Sequence, residues 1–434
     1  MITKIRNAAF ILCLFVFLSR LAGGAPVPEG EGKLRVLVLE GTPYQMGMIH
    51  GKALKPEITE LIKRWRADLA RTYKVPAEDF IEKFLKYTNF RPSIDRWTPG
   101  LLDEVRGIAD GVGVDFETMY AFQLIDESWV MNTDLGLDGG RGPGQSPGVH
   151  FRRTRPWIQA TGEWRAEGSS FDKCTSIAAG KRGGVPAFTS QTQDIPRFYH
   201  GTPTVLRIRD KGENPESLIF TIPGVIALNG LNSRSVGVCV NAVTQLAHSP
   251  KGLPVAFVIR GILRQKTYEQ AVKFLEDIQP AAPQNYVLGG PLNAASFERS
   301  AGKMVPFLPF EGAEFTYHTN HPLVNDDLDP KFLARLKKAG VSLDRFKTSC
   351  PRFNFLGRTL TDNSAAIDLA ALKTIYANRV SGINNGGTYG CTIMVLGERP
   401  ELHISPGRPD VEPFQVLDFS PRTTGPSSAG KKLK

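Results

Sequence analysis

Residues 172–179 read Asp172-Lys173-Cys174-Thr175-Ser176-Ile177-Ala178-Ala179, and a little further on residues 191–194 read Gln191-Thr192-Gln193-Asp194. Thr175 to Ala179 and Pro186 to Thr189 are short β-like runs, so Cys174 stands at the start of a strand and Asp194 at the end of its hairpin partner. A buried structural cysteine at a strand start is the plain reading. The other reading is chemical. A chain cut before Cys174 carries a thiol and a free α-amine on one residue, and an amine of pKa ~8 can take the thiol proton at working pH. Such a nucleophile needs no histidine partner, and no Cys–His pairing is evident in the sequence.

Outward from this point the chain divides by texture. From residue 174 to 434 short β-like runs (also Ser217 to Ile222, Val236 to Val240, Cys391 to Leu396) alternate with helical patterns such as Tyr268 to Ile278, as in one sheet-based core. Residues 139–168 are rich in Gly, Pro and Arg without a sustained period, and 139–173 reads as a linker to the Cys174 position. Residues 26–138 are dominated by helix patterns: Ile58, Leu61, Ile62, Trp65 and Leu69 share one face, as do Phe80, Ile81, Phe84 and Leu85, and Leu101, Leu102, Val105, Ile108 and Ala109. At the N-terminus Lys4 and Arg6 precede the apolar run Ala8 to Leu18 and the small residues Gly23-Gly24-Ala25. That order predicts a secretory signal peptide over 1–25 and an exported protein, periplasmic or extracellular.

The 434 residues are 41% hydrophobic, which excludes wholesale disorder, and no second long apolar stretch supports a multi-pass membrane protein. Loss of 1–25 removes Lys4, Arg6 and Arg20 and no acid, so the formal charge of +10 falls by three to +7. Much of that excess is local, in Arg141, Arg152, Arg153 and Arg155 and in the final lysines, and no nucleic-acid motif accompanies it. Four cysteines remain after export, too few for a disulfide scaffold in a chain of this length. Gly144-Gln145-Ser146-Pro147-Gly148 fits the letters of a serine-hydrolase elbow, but Pro147 and the surrounding glycines deny it the strand–turn–helix setting the motif needs. His318 and His321 form an H-x-x-H pair whose side chains diverge in an extended segment, with no acidic or thiol ligand close in sequence. No phosphate-binding loop is present.

Taken together the motifs resemble the cysteine-type penicillin acyltransferase family, a branch of the N-terminal-nucleophile hydrolases related to conjugated bile-acid hydrolases and acid ceramidases. Gly41-Thr42-Pro43-Tyr44-Gln45-Met46-Gly47 with His50-Gly51 looks like the family's opening turn, and Glu104 to Gly111 (EVRGIADG) like its pro-segment helix. Cys174-Thr175-Ser176, Gln191 with Asp194, Gly230-Leu231-Asn232 with Gly237 to Asn241, His318-Thr319-Asn320-His321, and Ser349 with Arg352-Phe353 follow in the family's order.

The resemblance implies an α+β fold, a four-layer αββα sandwich with a helical pro-segment. It also implies self-cleavage between Lys173 and Cys174, with an α chain of 26–173 and a catalytic β chain of 174–434 that stay associated. Cys174 would be nucleophile and, through its amine, base. Asp194 would hold that amine and Arg352 would favour the thiolate. The Asn320 side chain and the Asn241 backbone N–H would form the oxyanion hole, and Gln191 would complete the motif after the nucleophile. The implied reaction is acyl transfer from a small amide or thioester through acyl-Cys174, with no metal or organic cofactor. A secreted serine hydrolase using Ser146 and a non-catalytic envelope binding protein on the same fold are the alternatives.

Overall fold

The computed structural model describes residues 34–137, 174–210, 212–362 and 367–419. The expected signal peptide (1–25), the linker 139–173 with Ser146 and Lys173, and the basic C-terminal end lie outside the described residues. The first element is a strand, β1 (Arg35–Gly41). Thr42 then caps a helix: its Oγ1 accepts from Gln45 N at 3.3 Å, Gln45 Oε1 accepts from Thr42 N at 2.9 Å, and Pro43 occupies the first turn. Helices α1 (Pro43–Ala53), α2 (Lys55–Tyr73), α3 (Ala77–Tyr87), α4 (Arg91–Trp97), α5 (Leu101–Val112), α6 (Phe116–Gln123) and α7 (Ile125–Met131) follow. Ile58, Leu61, Ile62, Trp65 and Leu69 of α2 are all buried, as their spacing predicts. Each such side chain gains about 1.5–3 kcal/mol from leaving water, offset by the entropy of ordering the chain.

After Cys174 come β2 (Thr175–Ala179), β3 (Ala187–Asp194), β4 (Thr204–Asp210), β5 (Ser217–Thr221), β6 (Asn229–Asn232) and β7 (Gly237–Ala242), then α8 (Val255–Leu263) and α9 (Tyr268–Asp277). Strands β8 (Gln284–Gly289), β9 (Ala294–Arg299), β10 (Met304–Phe307) and β11 (Phe315–His318) lead to α10 (Pro330–Ala339), α11 (Leu343–Thr348), α12 (Pro351–Asp362) and α13 (Leu369–Ala377). The last strands are β12 (Thr388–Leu396), β13 (Glu401–Ser405) and β14 (Gln415–Asp418).

The strands form two sheets, ordered β1-β4-β5-β6-β7-β8-β9-β10 and β11-β2-β3-β12-β13-β14. They face each other closely. A Cβ on Gly289 would lie 2.4 Å from Leu396 Cδ1 and 2.6 Å from Thr189 Cγ2, so the sheet contact at this point admits only hydrogen. The α1–α9 segment and the first sheet share the larger core, and α12 and α13 cover the outer face of the second sheet through Leu356, Leu360, Leu372 and Tyr376. The fold is therefore the four-layer αββα sandwich, α+β in class. Every residue of β2 and β3 is buried because both faces are covered.

Two findings refine the sequence reading. The 26–138 segment is not helical throughout: β1 pairs in parallel with β4, Arg35 opposite Thr204, and forms the edge of the eight-stranded sheet. The glycines of the two N-terminal motifs also acquire a common cause. A Cβ on Gly47 would fall 1.9 Å from Glu104 O and one on Gly107 would fall 2.2 Å from Tyr44 O, so α1 and α5 cross backbone to backbone. Beneath this crossing Glu104 takes a two-pronged ion pair from Arg260 at 2.7 and 2.8 Å, and His50 Nε2 accepts from Gly224 N at 3.0 Å. Among the described residues no helix is long and apolar enough to cross a membrane.

Candidate active site

Strand register does most of the positioning. Thr175 pairs with Thr192 and Ser176 with His318, and continuing both ladders by antiparallel count brings Cys174 level with Gln193 on one side and Asn320 on the other. The Cys174 Sγ lies 3.7 Å from the backbone oxygen of Asp194. Asp194 Oδ2 accepts from Asn385 Nδ2 at 3.1 Å, and Ile195 N donates to Gly387 O at 3.1 Å, so the turn before β12 fixes this carboxylate. Asn385 carries no motif in the sequence, and its part becomes visible only once β3 and β12 pair.

Arg352, near the start of α12, ties the start of β2 to Asn320. Its Nη1 donates to Cys174 O at 2.6 Å and to Thr175 Oγ1 at 2.9 Å, and its Nη2 donates to Asn320 Oδ1 at 3.2 Å. Asn320 Nδ2 in turn donates to Ala242 O at 3.2 Å. An amide nitrogen has two hydrogens, so a second N–H is left for another acceptor. Asn320 is held at both ends, which sets its rotamer.

Gln191 and Asn241 stand apart from the cleft. Gln191 Oε1 accepts from Val240 N at 3.2 Å while its Nε2 donates to Val240 O, so the side-chain amide acts as a peptide group bridging the two sheets where β6 no longer pairs with β7. Asn241 Oδ1 accepts from Ser176 Oγ at 2.6 Å and from Asn285 Nδ2 at 3.2 Å. Its neighbours in β7, Val240 and Ala242, line the cleft, but Val240 turns its N and O to Gln191, so strand alternation turns the Asn241 N–H to Asn285 in β8 and the backbone donor expected at Asn241 does not face the cleft.

The H-x-x-H pair serves other partners than a metal. His318 Nε2 meets Glu298 Oε1 at 2.9 Å, and the same carboxylate accepts from Leu323 N (2.6 Å), Val324 N (3.1 Å) and Asn325 N (2.7 Å). Burial would raise the Glu298 carboxyl, but His318 and these backbone donors outweigh it and hold it below the usual carboxylate range. His321 bonds Thr319 Oγ1 at 2.9 Å and Lys347 O at 3.0 Å. Beside it lies Cys350. Burial opposes ionisation of that thiol, yet the His321 hydrogen bond and the Arg352 charge bring it down to about 5. Cys174, Cys239, Cys350 and Cys391 are all free thiols. No group of three or more His, Cys, Asp or Glu side chains fit for a metal occurs among the described residues.

Cys174, Asp194 and Asn320 open on one cleft of about 550 Å³, part of it open to solvent. Its walls are mostly apolar, including Ile222, Val255 and Ile259, with Trp129 and Tyr199 as aromatic members. Asp126 and Gln284 are polar members that the sequence reading passed over. Gln284 Nε2 donates to Asp126 Oδ1 at 2.9 Å. Burial pushes the carboxyls of Asp126 and its neighbour Glu127 up, Glu127 further because Asp126 is beside it.

Residues 214–370 match the family model described as acyl-coenzyme A:6-aminopenicillanic acid acyl-transferase. This bears out the resemblance over a segment that contains Asn241, Asn320 and Arg352 and stops short of Cys174, Gln191 and Asp194. No curated protein matches the chain. Among solved structures, penicillin V acylase from Agrobacterium tumefaciens is similar at 14% identity and a TM-score of 0.34, covering 57% of this chain and 86% of that one.

Proposed function

We propose that the protein is an exported, self-processing N-terminal-cysteine amidohydrolase or acyltransferase that works through an acyl-Cys174 thioester. The observation that carries this reading is the convergence of Cys174, Asp194 and Asn320 on one cleft, with Arg352 bonded to both Cys174 and Asn320. Cleavage between Lys173 and Cys174 frees the α-amine, which Asp194 orients. In its neutral form the amine takes the thiol proton as Sγ attacks the substrate carbonyl carbon. Charge then develops on the carbonyl oxygen, where the second Asn320 N–H is the donor. Losing one such donor typically costs about 10²–10³ in rate. The ammonium returns its proton to the leaving amine, the C–N bond breaks, and a thioester remains. Water, deprotonated by the same amine, attacks the thioester carbon, releasing the acid and restoring the thiol; an acceptor amine in place of water gives transfer.

Arg352 acts on geometry as well as charge, since its fork spans the nucleophile's own carbonyl and Asn320. The two products of cleavage are expected to stay together. The α-side segment supplies β1 to the first sheet and Glu104 to Arg260, contacts that survive a cut outside them. None of these steps calls on a metal or organic cofactor.

Intact-mass analysis of the purified protein tests the proposal. Two fragments are expected, one beginning at Cys174, with an acyl adduct on that fragment after a brief amide pulse. Cys174→Ala is expected to stay uncut and inactive, and Ser146→Ala to change nothing. Full cleavage of the Cys174→Ala chain would refute self-processing. Activity that vanishes with Ser146 would favour a serine hydrolase, and an unbroken, inert wild-type chain would favour a binding protein on this fold.

A further inference from the structure

We propose that the cleft beside Cys174 selects amides carrying a protonated amine, seated against Asp126 and Gln284. The inference rests on the reading of Cys174 given above. The cleft is apolar for most of its wall, and such a surface alone would suit any alkyl or aryl amide. At one side, however, acceptors gather without a cation, and the buried Tyr286 hydroxyl, close to both Asp126 and Glu127, bonds neither. Gln284 is 1% exposed, its Nε2 is spent on Asp126, and its Oε1 has no partner. Behind it Glu127, also 1% exposed, receives Val255 N on Oε1 at 2.9 Å and nothing on Oε2. Asp126 is half-buried and faces the cleft, and the Gln284 amide is the one side chain bonded to it among the described residues.

Buried polar atoms are nearly always satisfied, so a set of acceptors lacking hydrogen predicts what a ligand brings. The buried cations on neighbouring elements are committed elsewhere. Arg260 is held by Glu104, and Arg299 gives its hydrogens to the carbonyls of Leu275, Ile278 and Ser300. An ammonium has three hydrogens and one positive charge, which answers Asp126 and Gln284 Oε1 and favours ionisation of Glu127 behind them. A neutral alkyl group would leave all three as they are. Both carboxyls are pushed up by removal from water, and a bound cation would draw them back toward ionisation.

The test uses the processed enzyme and two matched pairs of substrates. On the acyl side, ε-aminocaproyl-p-nitroanilide is compared with heptanoyl-p-nitroanilide. On the amine side, the caproyl amide of hexamethylenediamine is compared with that of heptylamine. A preference for the cationic member of about tenfold or more in kcat/KM is expected in at least one pair, the scale of a partly desolvated charge contact. Asp126→Asn is expected to bring that ratio to within about twofold of unity, and Glu127→Gln to lower it. As a measurement independent of turnover, hexylamine is expected to inhibit competitively at concentrations where hexanol does not. Equal kcat/KM in both pairs, with acyl-Cys174 formed from the neutral amides, would overturn this inference and leave the Cys174 reading intact. A preference that survives Asp126→Asn would also overturn it. No turnover and no adduct with any of the four would overturn both.

Discussion

Two acidic sites, Glu298 and the Asp126–Glu127 pair, are built on opposite terms. Glu298 receives His318 and three consecutive backbone N–H groups, so its charge is fully met and its carboxyl is held down. Asp126 and Glu127 receive one side-chain amide and one backbone N–H from other elements, and burial pushes both up. The first arrangement fixes backbone: the loop it gathers runs from His318 to Asn325 and carries Asn320. The second fixes little and leaves acceptors beside a cleft. A satisfied buried charge builds the scaffold; an unsatisfied one points to what the scaffold receives.

The largest effect that separates the two comes from deleting Glu298. Glu298→Ala strands four donors in the interior and is expected to cost about 3–5 kcal/mol in denaturant unfolding, with activity lost as Asn320 drifts. Retention of full activity would break the proposed link between this carboxylate and the loop that carries Asn320.

Glu127→Gln should behave in the opposite way. A carboxyl raised on folding keeps its proton longer in the folded state, so stability is complete below the unfolded value and declines as pH rises toward about 8. The wild-type melting temperature should therefore carry a decline between pH 5 and 8 that Glu127→Gln flattens, with the variant equal or higher at the alkaline end. Glu298 has the reverse sign: its contribution is present above the unfolded value and is lost as pH falls. If Glu127→Gln leaves the slope unchanged, the acid pair is not under strain.

The smallest effect is a rate. Cys350 belongs to the satisfied side, beside His321 and Arg352, and its thiol is brought down to about 5. In a Cys174→Ala background, alkylation of Cys350 is expected to change little between pH 6 and 8. Cys239 and Cys391, both buried and pushed up, should react only on unfolding. A tenfold rise per pH unit at Cys350 would show an ordinary thiol.

Much of this was legible before any fold was known, and the limits are physical. Helical spacing found α2, α3 and α5 because each has one wet face and one dry face. The runs near 175, 217, 237 and 391 showed as strands because covered strands are continuously apolar or small. β1 was missed: Arg35-Val36-Leu37-Val38-Leu39 sits among helices, and its partner is far off in the sequence. For Cys174, Asp194, Asn320 and Arg352 the resemblance named the residues; the register explains why the first three meet, and Arg352 reaches them from α12. The H-x-x-H letters suggested a metal pair for consideration, whereas the partner that gives His318 its purpose is Glu298, twenty residues earlier. Asp126 had no signal, because Ile125-Asp126-Glu127-Ser128-Trp129 reads as an ordinary helix and nothing local says which acid meets the cleft.

The parallel pairing of β1 with β4 also sets a schedule for biosynthesis. Arg35 leaves the ribosome 169 residues ahead of Thr204, its opposite number. Through that interval the nascent chain holds a strand with a bare edge and a series of helices whose greasy sides have no sheet to rest on. The N-terminal third cannot complete its structure as it is made, so whatever shields an exposed edge during translation will govern how much of this protein reaches its native form.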